Sequence, residues 1–432
     1  MADDIWWNGG TAVREWTIRL GLIVFGFFIV VVSMVALEFY LSRFTPHILT
    51  LYKPDEYIGW KGIPNFKGEF KKGRVSSYVR MNSHGFRDKE RSYEKGKDTF
   101  RIVVLGDSFT EGMQVPLEQT FPYILEERLN SGGSSERFEV INLGVSGFGT
   151  AQEYLALKYY GLRYHPDLVI LEFFIGNDVV NNSLILETEK ERPFFVLSGG
   201  KLEELPFKIR TSNLAKGEGE TKEDVAEQFR IKYLILRYST RFFPNISYSL
   251  EDRIKQTPWL ANLLWKMGIV NSKPQLPDKS QRDEIPLDKY IYAESYSREW
   301  EDAWEITKGL ILKLANELEA QKIGFLVVVI PNEYEFRSDI WDKILGAYPQ
   351  MRSMRLDLRK PEGILSRFFE SNGIEYLLLR SEFERYTKET GKDLHFHFAY
   401  ENHWNADGHA LAADLIYKKL KEDKLVSIKD VQ

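Results

Sequence analysis

Apolar residues along this chain fall into short blocked runs separated by amphipathic stretches. Five runs predict buried strands, at 101–106, 138–143, 167–174, 323–330 and 374–378. Ile102-Val103-Val104-Leu105 shows why: it is too short for a helix, rich in β-branched residues, and closed by Gly106. Between these runs, spacing of three and four predicts helices near 119–130, 150–161, 299–320, 361–371 and 407–420. In the third of these, Trp300, Trp304, Ile306, Leu310, Ile311, Leu314 and Leu318 form one stripe, the pattern of a core-facing helix. Alternating strands and helices predict an α/β domain with a parallel sheet covered on both faces.

Three regions break the alternation. Leu20 to Leu37 is 18 residues without a charge, enough to cross a bilayer core as a helix. Trp6, Trp7 and Trp16 precede it, and Phe39 and Tyr40 follow, as interfacial aromatics do. The run ends in Glu38-Phe39-Tyr40-Leu41, a poor cleavage site, so an uncleaved anchor within residues 1–42 is expected rather than a signal peptide. Flanking charge does not fix its orientation, since Arg14 and Arg19 stand on one side and Arg43 and Lys53 on the other. Residues 43–97 are polar and aromatic, with turn signals at Gly59-Trp60, Pro64-Asn65 and Asn82-Ser83-His84-Gly85; short strands and loops on the domain edge are expected. The main domain then runs from 98 to 432, interrupted at about 184–298 by an insertion. Charged runs there alternate with aromatic clusters such as Phe242-Phe243 and an apolar stretch from Trp259 to Trp265. The insertion reads either as a lid over the cleft or as passive decoration.

Composition narrows the function classes. The net charge is −5 with no long basic run, which gives nucleic acid no footprint. There is no cysteine, which excludes a thiol nucleophile, disulfides and zinc–thiolate sites. No metal-binding spacing such as HExxH occurs, and neither a metal nor a cofactor is expected.

In an open parallel sheet, ligands gather outside the carboxyl ends of the strands. Ser108 follows the first strand. Asn142-Leu143-Gly144-Val145-Ser146-Gly147 follows the second, and Gly176-Asn177-Asp178 the third. Glu401-Asn402-His403-Trp404-Asn405 lies beyond the fifth. Alone, Asp107 and Ser108 could simply cap the next helix. Together, four polar or glycine-rich clusters on one sheet edge point to a serine nucleophile. A serine hydroxyl needs a base, which His403 can supply, and Glu401 can orient the imidazole. The backbone N–H groups of Ser108 and Gly147 and the amide of Asn177 are candidate oxyanion donors. Asp407 and His409 form a rival acid–histidine dyad, although Asn405-Ala406-Asp407 reads as a helix start that would place His409 in the first turn. Asp393, His395 and His397 alternate with Phe396 and Phe398, as on an edge strand or loop.

These blocks resemble the SGNH, or GDSL-type, hydrolase superfamily. GDS at 106–108, NLGVSG at 142–147, GND at 176–178 and ENHWNADGH at 401–409 occur in the family's order. The resemblance implies a three-layer flavodoxin-like fold around a five-stranded parallel sheet. It implies Ser108 as nucleophile, Gly147 and Asn177 in the oxyanion hole, and His403 as base. The last block departs from the common form, which has an aspartate three residues before the histidine; Tyr400 stands there. Some membrane-linked, polysaccharide-modifying members instead carry an acid two residues before it, followed by Trp-Asn, and Glu401 fits that form. The resemblance therefore implies a single-pass membrane esterase with its domain outside the cytoplasm, acting on O-acetyl groups of a surface glycan. An O-acetyltransferase using the same acyl-serine, with a membrane-bound acyltransferase as partner, is the first alternative. A catalytically inactive glycan-binding or scaffold protein is the second.

An uncleaved anchor has a direct consequence. The full chain should stay with membranes through high-salt and carbonate washes. Its appearance in the wash supernatant, or a mature N-terminus beyond residue 37, would refute the anchor.

Overall fold

The computed structural model describes residues 16, 18–29, 32–33, 51–72, 75–132, 136–207, 285–397 and 402–426. The chain divides into two compact units, Met1–Thr50 with Thr221–Tyr238, and Leu51–Glu220 with Ser239–Gln432. In the first unit, the described residues 18–29 are helical and their apolar side chains exposed. Among the described residues no helix is long and apolar enough to cross a membrane. Residues 30, 31 and 34–37 of the apolar run lie outside the described residues, as do Phe242-Phe243 and Trp259–Trp265.

The second unit begins with two antiparallel hairpins, β1 (Tyr52–Asp55) with β2 (Gly59–Gly62), and β3 (Lys67–Lys72) with β4 (Val75–Arg80). Next come β5 (Thr99–Leu105), a single-turn helix α1 (Ser108–Glu111), α2 (Phe121–Ser131), β6 (Arg137–Asn142) and α3 (Thr150–Tyr159). β7 (Leu168–Phe174) leads to a second short helix, α4 (Asp178–Asn181), and to a hairpin of β8 (Phe195–Ser198) and β9 (Lys201–Glu204). After the insertion come α5 (Arg298–Ala320), β10 (Gly324–Ile330), α6 (Ser338–Ala347), α7 (Lys360–Asn372), β11 (Glu375–Leu378), α8 (Arg380–Thr390) and α9 (Ala406–Glu422).

Five strands form one parallel sheet in the order β11-β10-β7-β5-β6. Taken in chain order this is 2-1-3-4-5, the flavodoxin-like winding, whose switch point lies between β5 and β7. Both faces are buried. Val103, Leu105, Val169 and Leu171 join α3, α5 and α7 on one side; Ile102, Val104, Leu168 and Ile170 join α2 and α9 on the other. The period-two split of an unbroken apolar run is what burial on both faces demands.

The five strands and five long helices lie within two residues of the expected bounds. Besides the single turns α1 and α4, two longer helices were not expected. α6 buries none of its residues completely, but Ile340, Trp341 and Ile344 lie at helical spacing, partly buried against the core; α8 buries only Arg380 and Phe383. The described part of the insertion packs against helices, with the ring of Phe195 5.8 Å from that of Tyr154 on α3 and Leu202 beside Gly309 on α5.

Arg101, on β5, shows how the lead-in joins the sheet. Its side chain is almost fully buried and uses every N–H it has. Nε donates to Glu139, Nη1 to the carbonyls of Tyr93 and Tyr164, and Nη2 to those of Ser92 and Glu94, all at 2.8–3.0 Å. Arg101→Met would leave four carbonyls, that of Tyr164 fully buried, and a carboxylate without their donor. A loss of about 3–5 kcal/mol in denaturant-measured stability is expected, the usual cost of removing one partner from a buried charged pair. A loss below about 1 kcal/mol would mean that water replaces the guanidinium.

Candidate active site

Gly106 ends β5 and turns the chain into α1. A side chain at Gly106 would start 2.3 Å from Thr110 Oγ1 and 2.4 Å from Glu172 Oε2, so only glycine fits. Asp107 is the N-cap, its carboxylate accepting from Phe109 N–H at 2.8 Å. Ser108 follows as the first residue of the turn. Asp107 thus caps the helix, and Ser108 stands half-buried at its start.

Ser108 Oγ lies 2.7 Å from His403 Nε2. His403 sits where the chain doubles back, with Phe396 N–H donating to the His403 carbonyl at 2.9 Å. Trp404, nearly without exposure, anchors this segment in the core against Phe109, Phe121 and Phe383. Asn405 then caps α9 by accepting from Gly408 N–H at 3.0 Å. A buried indole and a capped helix on one side of His403 hold its ring over Ser108. Glu401 lies outside the described residues.

The rival dyad is not assembled. Asp407 is half-exposed and pairs with Lys392 at 3.5 Å. His409 is buried in the first turn of α9, where its Nδ1 accepts from Phe121 N–H at 3.3 Å. Burial, with Arg87 and His403 nearby, pushes its pKa down to about 3.

Asn177 follows β7 across the switch point. Its amide donates to Asp107 Oδ2 at 2.9 Å, so the cap of α1 also aims Asn177. Gly147 occupies the loop after β6 with φ +80°. That loop packs on α1: Val145 N–H reaches Gly106 O at 3.1 Å, and Ser146 N–H reaches Glu111 Oε2 at 2.9 Å. Loops from three strands therefore converge on one helical turn.

Beneath this surface lie carboxyls that motif reading did not identify. Glu172 Oε2 accepts from Asp107 N–H at 3.1 Å and from Thr110 Oγ1 at 3.0 Å. Burial pushes its pKa well up, and Asp107 and Asp178 add to the shift. Burial also raises Asp107, against the pull of Phe109 N–H, Asn177 and His403. Glu172 left one signal in the sequence: it is the lone acid in the doubly buried strand Leu168-Val169-Ile170-Leu171-Glu172-Phe173-Phe174.

Glu333, Asp393 and His397 bring ligand atoms within 4.8 Å of one another. Arg337 already supplies cationic charge there, with Nη1 2.5 Å from Asp393 and 3.7 Å from Glu333. His395 is buried at the bridge to Trp404, and burial keeps it well below the usual imidazole range.

Residues 102–196 match the family model described as GDSL-like lipase/acylhydrolase. A stretch of 72 residues is 35% identical to an arylesterase of Vibrio mimicus, covering 17% of this chain and 35% of that protein. The chain thus spans about a third of that relative's length. Among solved structures, the acetyl xylan esterase AlAXEase is 14% identical with a TM-score of 0.35, over 74% of this chain and 98% of its own. The lipase/acylhydrolase of Enterococcus faecalis is 12% identical with a TM-score of 0.35, over 77% and 100%.

His409 yields a pH prediction. The folded state keeps this imidazole neutral while the unfolded chain protonates near the ordinary value of 6.5. Its contribution to stability is therefore complete above pH 6.5 and is lost as pH falls from there toward about 3. His409→Asn, which keeps an acceptor for Phe121 N–H, should flatten the acid limb by up to about 1.4 kcal/mol per pH unit. Urea melts between pH 7 and 4 measure this, and an unchanged slope would contradict a buried neutral His409.

Proposed function

We propose that this chain, which carries a GDSL-like lipase/acylhydrolase domain over residues 102–196, is a serine esterase working through an acyl-serine. The observation that carries the reading is the 2.7 Å contact between Ser108 Oγ and His403 Nε2. The local identity to an arylesterase supports the same reaction class.

The steps follow from the geometry. As Ser108 Oγ bonds to the acyl carbon, its proton passes to His403 Nε2. The carbonyl π pair moves onto oxygen, and that oxyanion is met by the N–H groups of Ser108 and Gly147 and the amide of Asn177. Asp107 holds Asn177 in place, so this donor is fixed before substrate arrives. The tetrahedral adduct then collapses. The bond to the leaving oxygen breaks, and His403 returns its proton to that oxygen. Water, deprotonated by the same imidazole, cleaves the acyl-serine and regenerates Ser108. Glu401 is assigned to orient His403 and stabilise its cation.

The substrate in this reading is an O-acetylated carbohydrate outside the cytoplasm, with residues 20–37 as the anchor. Its support lies in the sequence: an uncharged apolar run, and a last block with Glu401 ahead of His403 and Trp404-Asn405 behind it. A glycan hydroxyl replacing water in the second half-reaction would make the product an acetylated glycan instead of free acetate.

The test is turnover of an aryl acetate together with labelling by a serine-directed fluorophosphonate. Ser108→Ala and His403→Ala should each lower kcat by about 10⁴-fold or more. Ser108→Ala should also abolish labelling while circular dichroism stays unchanged. His409→Ala should cost far less. Labelling that persists on another serine, or near-normal rates in His403→Ala, would overturn the assignment. Acetate release against acetylated oligosaccharide then separates hydrolysis from transfer.

A further inference from the structure

The turn that carries Gly147 is gripped by residues of the 51–97 segment. Val145 to Phe148 closes a β-turn through Phe148 N–H and Val145 O at 3.1 Å. Gly147 is its third residue, and φ of +80° makes the turn type II. Types I and II differ in the orientation of the central peptide, here Ser146–Gly147. That peptide carries the Gly147 N–H. Glycine tolerates either orientation, so nothing in the turn's own backbone chooses between them.

Trp60 makes the choice. The peptide is trans, so its C=O and N–H point in opposite directions, and fixing one fixes the other. The Trp60 indole N–H donates to Ser146 O at 3.1 Å. Its ring carbon Cζ2 lies 3.5 Å from where a side chain on Gly147 would begin. The indole is itself held, on β2, by an edge contact with Phe148 at 5.7 Å and by the Arg192 guanidinium at 5.1 Å. A flip to type I would break the bond to Ser146 O and turn the Gly147 N–H toward the indole.

A second grip acts on the other side of Ser146. Its N–H and hydroxyl both donate to Glu111 Oε2, and Tyr52 OH donates to the same oxygen at 2.6 Å. Glu111 is in α1, three residues beyond Ser108. Arg87 binds the carbonyls of Glu111, Gly112 and Val115, fixing the end of that helix. Tyr52, Trp60 and Arg87 all come from the segment that sequence reading set on the domain edge.

We propose that Trp60 is a positioning residue, which holds the Ser146–Gly147 peptide so that the Gly147 N–H faces the oxyanion formed at Ser108. Tyr52 reinforces it through Glu111. The inference rests on the esterase reading and on Gly147 as an oxyanion donor. Losing an oxyanion donor outright costs about 10²–10³ in kcat, so a donor left free to flip should cost less, about tenfold.

Trp60→Phe keeps the ring and removes the N–H. It should lower kcat on aryl acetates about tenfold, with KM and melting temperature unchanged. Affinity for an aryl boronic acid, which forms a tetrahedral adduct on Ser108, should fall by the same factor. Amide hydrogen exchange in a peptide spanning 144–149 should speed up. Tyr52→Phe should shift all three readouts in the same direction by less, and serves if Trp60→Phe does not fold. Wild-type kcat, boronate affinity and exchange in both variants would overturn the inference. A wild-type protein inert to aryl acetates and fluorophosphonate would refute the esterase reading instead. The exchange measurement would then still decide whether Trp60 holds the turn.

Discussion

Everything in the candidate site depends on one hydrogen bond, from Ser108 to His403, across 295 positions of sequence. A serine hydroxyl and an imidazole gain little from meeting in water, and ordering two distant segments costs conformational entropy. The contact therefore has to be imposed by the fold. On one side β5, buried on both faces, delivers Ser108 through a turn that only glycine at 106 permits. On the other, Trp404 is driven into the core beside Phe109 and Phe383, and His403 comes with it. The aromatic packing of Trp404 supplies the free energy that the polar pair lacks.

The polar groups below the surface are organised around the same turn. Asp107 caps α1 and aims Asn177 in one arrangement. Glu172 receives the Asp107 N–H from the middle of the sheet. Placing several carboxyls this close in a buried region raises their pKa values, because each charge is both desolvated and repelled by its neighbours. Such a network is unfavourable as a source of stability. Its value is in direction: the N–H groups of Asp107 and Phe109, the Thr110 hydroxyl and the Asn177 amide each meet a carboxylate that fixes where they point.

The hairpins ahead of the sheet extend this logic. Arg101 ties residues 92–94 to β5, while Arg87, Tyr52 and Trp60 reach α1 and the Gly147 turn. These side chains make the lead-in part of the wall around the site. A parallel sheet leaves the loops at its carboxyl edge short of backbone partners, and outside side chains satisfy them here.

The sequence by itself determined the layered architecture and the four clusters on one sheet edge. Doubly buried parallel strands must be unbroken apolar runs, amphipathic helices must carry a stripe, and both patterns are local. It also determined that Ser108 would stand at a strand end beside glycine. Only the tertiary structure decided which histidine meets it. His403 and His409 are six residues apart and chemically alike, yet one faces Ser108 and the other is sealed against Phe121. The difference arises from where Trp404 packs and where α9 starts, which are non-local. Helices α6 and α8 are short and only partly buried, and pattern reading passed over them although Ile340, Trp341 and Ile344 stand at helical spacing. Trp60 and Glu111 escaped it because their partner, Ser146, is distant in sequence. Periodicity reports which face of an element is buried. It carries no information about which distant group a side chain touches, and that is settled only when the layers close.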